Sequence, residues 1–219
     1  MKKILVLFAV VFMALSSAIA QKVVYDYNVH KRAIGSFHAI ETSSGIEVII
    51  SKGDKEELAV SVGNTDYLEE VRTVVENGTL KISRRGDWNI WKQWKNWKVK
   101  VYVSYTRLDD VKATSGGSIT GSDVLLDRLS ARINSGGSIT LTGKVNDLEV
   151  DGNSGGQFRG YSLSTTLCKA DMSSGAGMQV TVTKEISAKA SSGGSIRFKG
   201  EALIRDIDVN SGGSVKRQS

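Results

Sequence analysis

Proline is absent from this chain altogether, cysteine occurs once (Cys168) and histidine twice (His30 and His38). With no proline, the backbone N–H groups of a sheet ladder are never interrupted by a missing donor. A single cysteine excludes an internal disulfide, so the fold must rest on a packed core. One thiol and two imidazoles are too few for a transition-metal centre. Both histidines lie early in the chain and no Gly-x-Ser-x-Gly elbow occurs, so a serine nucleophile has no support. No metal or other cofactor is expected.

Long hydrophobic runs are also missing, with one exception at the start. Lys2 and Lys3 precede an apolar run from Ile4 to Leu15, and Ala18-Ile19-Ala20 supplies a small-x-small cleavage site ahead of Gln21. This three-part pattern predicts a signal peptide over residues 1–20. The run is too short for a spanning helix, and no later segment is apolar enough, so no transmembrane anchor is expected. No cysteine follows the predicted cut, which argues against a lipoprotein anchor. The expected address is exported, either periplasmic or on the cell surface.

Removing those residues leaves 27 basic and 23 acidic side chains. The excess is concentrated: Arg84, Arg85, Lys92, Lys95, Lys98 and Lys100 face Asp87 alone within residues 84–100. An electrostatic partner would be met at that one place.

What the chain has in abundance is a repeat. Ser-Gly begins at Ser115, Ser135, Ser154, Ser174, Ser192 and Ser211, at steps of 20, 19, 20, 18 and 19 residues. Such a period signals a solenoid, each turn burying its apolar face against its neighbours. Four residues before each serine stand Val111, Ala131, Val150, Ala170, Ala188 and Ile207, all apolar. The next position is always charged: Lys112, Arg132, Asp151, Asp171, Lys189 and Asp208. Past the glycines, Ile119, Ile139, Phe158, Met178, Ile196 and Val215 form a second apolar column. This alternation predicts two strands per turn, one face buried, joined at a Ser-Gly-Gly corner. The expected architecture is all-β, a right-handed parallel β-helix with an irregular β N-terminal half. Mixed signs in the charged column place Arg132 beside Asp151, and Lys189 between Asp171 and Asp208. Cys168 falls in the column of Leu129, Leu148 and Ile186 and is expected in the core.

Residues 21–108 are less regular and read as a cap or extension, with residues 109–219 as the repeat array. Val71 to Val75, Asn77-Gly78 and Leu80 to Ile82 predict a hairpin with a tight turn. Leu58 to Val62 and Lys98 to Tyr105 alternate as strands.

Gly35-Ser36-Phe37, Gly45-Ile46-Glu47-Val48, Gly78-Thr79-Leu80-Lys81-Ile82 and the final Ser211-Gly212-Gly213 carry a family resemblance. Together with the Ser-Gly-Gly turns, these resemble the auto-transporter adhesin head family called the GIN domain. The resemblance implies the solenoid fold and a surface-binding role, and it brings no catalytic residues.

One segment stands outside that pattern. Trp88, Trp91, Trp94 and Trp97 recur every third residue, interleaved with Lys92, Lys95 and Lys98. Indole faces stack on sugar rings while lysines draw in anions, so these residues, with Arg84 and Arg85, form the candidate ligand site. A basic aromatic segment could also lie in a membrane interface. The competing structural reading has the indoles folding back to plug one end of the solenoid. The serine column could show a hydroxyl ladder to a glycan, but satisfying corner backbone groups is the simpler role. A calcium ladder is disfavoured, because the corners offer serine and glycine in place of carboxylates.

The sequence therefore predicts a non-enzymatic surface-binding protein whose partner is a surface glycan or anionic envelope polymer, with no nucleic acid expected. One alternative is a polysaccharide lyase or hydrolase using Asp109 and Asp110. Another is a purely structural or assembly module, with a homo-oligomer burying the Trp segment.

Overall fold

A computed structural model describes residues 29–85 and 97–219. The predicted signal peptide, and Trp88, Trp91, Trp94, Lys92 and Lys95, lie outside the described residues.

Fifteen strands form one continuous sheet wound into a β-solenoid. They are β1 (Val29–Arg32), β2 (Ala39–Thr42), β3 (Glu47–Lys52), β4 (Glu57–Val62), β5 (Val71–Glu76), β6 (Thr79–Arg84), β7 (Val99–Tyr105) and β8 (Asp110–Ala113). Then come β9 (Ser118–Ile133), β10 (Ser138–Gly152), β11 (Gln157–Met172), β12 (Gly177–Ala190), β13 (Ser195–Lys199), β14 (Leu203–Val209) and β15 (Ser214–Arg217). From β8 onward every pairing is parallel, each coil stacking on the one before it.

The columns stack as the repeat requires. Val111 lies beside Ala131, Ala131 beside Val150, and so on through Ala170, Ala188 and Ile207. All but the last are buried. Cys168 sits between Leu148 and Ile186, is buried, and has its thiol pushed up to about 12 by desolvation. Removal from water disfavours the thiolate, so this sulfur is an inert core group.

Each corner is a tight four-residue turn. The serine and the glycine after it both have positive φ, as at Ser135 (48°) and Gly136 (72°). Gly137 N–H then donates to Asn134 O at 2.9 Å, closing the turn. Two successive left-handed residues are the mark of a type I′ turn, which glycine enters without strain and serine only at a cost. The following glycine is needed for space. A Cβ at Gly194 would stand 2.0 Å from Met172 O, and one at Gly213 would stand 2.1 Å from Ala190 O.

The strands differ from the expectation in one respect. β9 to β12 run unbroken for 14 to 16 residues from one corner to the next. A second bend is made inside each strand, where register shifts fall between Leu141 and Gly143 and between Gly160 and Ser164. The unequal repeat lengths are absorbed at this bend, while the Ser-Gly corners keep a constant length.

The N-terminal half departs from chain order. β2 and β3 form a regular coil stacked on β8 and β9. β6 and β7 make a further coil on its other side. Antiparallel β4 then covers β7, β5 covers β6, and β1 lies outside β4. The β5–β6 hairpin turns at Asn77 and Gly78, both with positive φ. The Arg32 guanidinium reaches across this end, donating to Val71 O at 2.5 Å and Leu68 O at 2.6 Å. Reversed strands and a bridging arginine close this end of the stack.

The charged column stacks in the expected register, but its ion pairs differ. Arg132 turns from Asp151 to Asp110, reaching both carboxylate oxygens at 2.9 and 2.8 Å. Asp110 lies on the preceding coil, two residues before Lys112, the register partner of Arg132, where a long guanidinium can take both oxygens at once. Asp151 is left between Glu149 and Asp171. Burial, then those two carboxylates, raise its pKa.

Candidate binding site

The corners form a ladder of their own. Gly45 N–H donates to Ser115 O, Gly116 to Ser135 O, Gly136 to Ser154 O, and the series continues to Ser211 O. It is thus the serine carbonyl, not its hydroxyl, that ties coil to coil. The hydroxyls of Ser115, Ser135, Ser154, Ser174, Ser192 and Ser211 sit on exposed residues.

One corner breaks the rule of length. Four residues separate Thr42 from Glu47, and four separate Ala113 from Ser118. Their stacking partners in the β6–β7 coil, Ile82 and Lys100, are separated by seventeen. The tryptophan-rich, basic segment is therefore a thirteen-residue expansion of a single corner, placed at the coil nearest the capped end.

Trp97 fastens the expansion to the stack. Its indole Nε1–H donates to Ser44 O at 3.1 Å, the carbonyl that ends the corner ladder. Tyr67 meets the indole edge-on, ring centroids 5.3 Å apart and planes at 62°. The Arg84 guanidinium lies 4.8 Å from the indole centroid and its Nε is 3.5 Å from Glu70 Oε2. Trp97 is half-buried against the core, so this indole takes the packed arrangement. Arg85 N–H donates to Glu70 O at 2.7 Å, fixing the point where the expansion leaves β6. The side chains of Arg85 and Lys98 are on exposed residues. Thus Arg84, Arg85, Trp97 and Lys98 gather at the base of the expansion. Tyr67, Glu70 and Ser44 complete that base and carry no sequence signal, because the chain brings them there from distant strands.

Asp109 and Asp110 do not converge. Asp109 lies 2.7 Å from His38 Nδ1 and accepts from Arg107 at 2.8 Å, while Asp110 is held by Arg132. A shallow recess of about 400 Å³ over Ala39 includes Lys81, Glu41, Lys112 and Asp110 in its lining. Its lysines are paired: Lys112 donates to Glu41 within the wall at 2.9 Å, and Lys81 to Glu76 outside it at 2.7 Å. Each carboxylate is already committed to a cation, and no acid–base pair faces an open cleft here.

These features define a parallel β-solenoid with one closed end and one elaborated corner. The chain belongs to the family described as "Putative auto-transporter adhesin, head GIN domain", whose model matches residues 36–202. Among solved structures, a putative adhesin from Bacteroides fragilis is similar, with a TM-score of 0.68 at 16% identity, covering 87% of this chain and 96% of that one. A putative adhesin from Parabacteroides merdae is similar over 87% of this chain and 95% of its own, at 16% identity and a TM-score of 0.49. No curated protein matches the chain in sequence. No helix among the described residues is long and apolar enough to cross a membrane.

Proposed function

We propose that this protein is a non-enzymatic adhesin head, exported to the periplasm or cell surface, whose ligand is a surface glycan or anionic envelope polymer. The contact is made by the expanded corner: Trp88, Trp91, Trp94, Lys92 and Lys95, with Arg84, Arg85, Trp97 and Lys98 at its base. The observation that carries this reading is the thirteen-residue enlargement of one corner in a stack whose other corners keep four residues. An enlarged loop on a rigid scaffold is where binding residues are commonly placed. Indoles supply flat apolar faces for sugar rings, and the surrounding cations attract acidic polymers from solution. Trp97 acts here as the anchor, through Ser44, Tyr67 and Arg84.

The test is binding of the protein to a glycan array and to purified anionic envelope polymers. Replacing Trp88, Trp91 and Trp94 together by Ala should abolish retention while leaving the melting temperature unchanged. Replacing Lys92 and Lys95 by Ala should weaken it and flatten its salt dependence. Unaltered binding by the triple variant would remove the proposed site.

A further inference from the structure

The two ends of the stack are built differently. At the first, antiparallel β4 and β5, the β1 edge and Arg32 cover the last coil. At the other, β14 bonds to β12 and β15 bonds to β13, and among the described residues neither has a strand on its outer edge. All seven residues of β14 are exposed. Ile207 is 39% exposed and Val209 46%, although Ala188 and Ala190, their partners on β12, are buried. Ile204, stacked on buried Ile186, is 47% exposed. The end thus presents interior positions and free backbone groups side by side, a surface that invites strand pairing.

The charges at this end are divided by strand. Asp206 and Asp208 lie on β14, while Lys216 and Arg217 lie on β15, with Arg197 one coil in. Arg217 stacks 5.3 Å from the Phe198 ring centroid. Among the described residues Asp206, Asp208 and Lys216 have no ion-pair partner, whereas Arg205 pairs with Glu185 at 2.8 Å. An acidic edge and a basic edge on one end are complementary to a second copy of that same end.

We propose that two copies of this chain join end to end through their terminal coils, β14 of each lying antiparallel against β15 of the other. A two-fold axis across the stack reverses chain direction, so the meeting edges run antiparallel. Ile204, Ile207, Val209 and Val215 of both copies then become interior. Pairing β14 with its own copy would set aspartates against aspartates, which opposes that arrangement. The β14–β15 pairing instead brings Asp206 and Asp208 towards Lys216. The resulting dimer would carry its two expanded corners at opposite extremes, doubling the valency of each particle.

Sedimentation velocity on the purified protein over a concentration series tests this. A monomer–dimer equilibrium is expected, with Ile207→Asp shifting it to monomer while circular dichroism shows the coils retained. Asp208→Lys and Lys216→Asp should each weaken the dimer at least tenfold, and the double variant should restore it. Because these charge variants lie on exposed edges, they separate lost pairing from lost folding. A wild-type monomer up to the solubility limit, or a dimer indifferent to Ile207→Asp, would overturn the proposal. Tighter association of Asp208→Lys alone would overturn the strand register.

Discussion

A Cβ added to Gly152 would lie 3.3 Å from the Cβ of Ala176, the residue that replaces glycine in the corner column. The two positions trade volume. In the equivalent coils a bulkier interior residue faces a glycine, as Ile133 faces Gly156 and Met172 faces Gly194. Here the glycine has moved to the interior strand and the methyl to the corner.

That exchange predicts non-additive energetics. Gly152→Ala should destabilise by about 1–3 kcal/mol through overpacking against Met172 Sδ, 2.6 Å from the new Cβ, and Ala176. Adding Ala176→Gly should recover part of the loss. Urea unfolding of the two single variants and the double variant checks this, and simple additivity would show that the two sites are uncoupled.

The corner serines hold φ near 48° with their side chains exposed, a conformation in which asparagine is more at ease. Ser154→Asn should raise stability by about 0.5 kcal/mol, and the β-branched Ser154→Val should lower it by about 1–2 kcal/mol. Thermal unfolding reads both. Equal melting temperatures for the two would mean that backbone strain does not govern these positions.

Trp97 closes the corner ladder at Ser44, so removing its N–H should leave that carbonyl unpaired. Trp97→Phe is expected to cost about 1–2 kcal/mol. Trp97→Ala, which also loses Tyr67 and Arg84, should cost roughly 2–4 kcal/mol. A Trp97→Phe protein as stable as wild type in chemical denaturation would show that the hydrogen bond is idle.

Asp151 supplies a pH signature. Burial first, then Glu149 and Asp171, raise its folded pKa above the ordinary carboxylate value. The folded state therefore binds this proton more tightly than the unfolded chain. Its contribution is fully present below the unfolded-state pKa and is lost as pH rises through the raised folded value. Asp151→Asn should be more stable than wild type at neutral pH and show a smaller gain between neutral and mildly acidic conditions. Melting curves across that range suffice, and parallel curves for both proteins would refute the assignment.

The repeat was legible because stacking is local in register. Val111, Ala131, Val150 and their successors must occupy one column if each coil is to bury its face, so the letters repeat. Cys168 could be placed for the same reason. The ion pairs were less legible. Arg132 had two carboxylates within reach of a flexible side chain, and the choice of Asp110 depended on geometry that spacing does not encode. The Trp-rich segment could be singled out by composition, yet its position as an enlarged corner needed the pairing of β6 with β2 and β7 with β3.

Sequence alone determined that the second half winds into stacked coils, that glycine follows each corner serine, and that one basic aromatic stretch stands apart. Those features depend on neighbours within one period, where residue type and backbone conformation are tightly linked. Tertiary structure alone decided that the β6–β7 coil lies outside β2–β3, that Trp97 seals Ser44, and that β4 and β5 cover one end while no described strand covers β14 and β15. These outcomes follow from pairings between segments far apart in the chain. In such pairings many partners satisfy the same alternation, and the total burial and hydrogen bonding of the whole stack makes the choice.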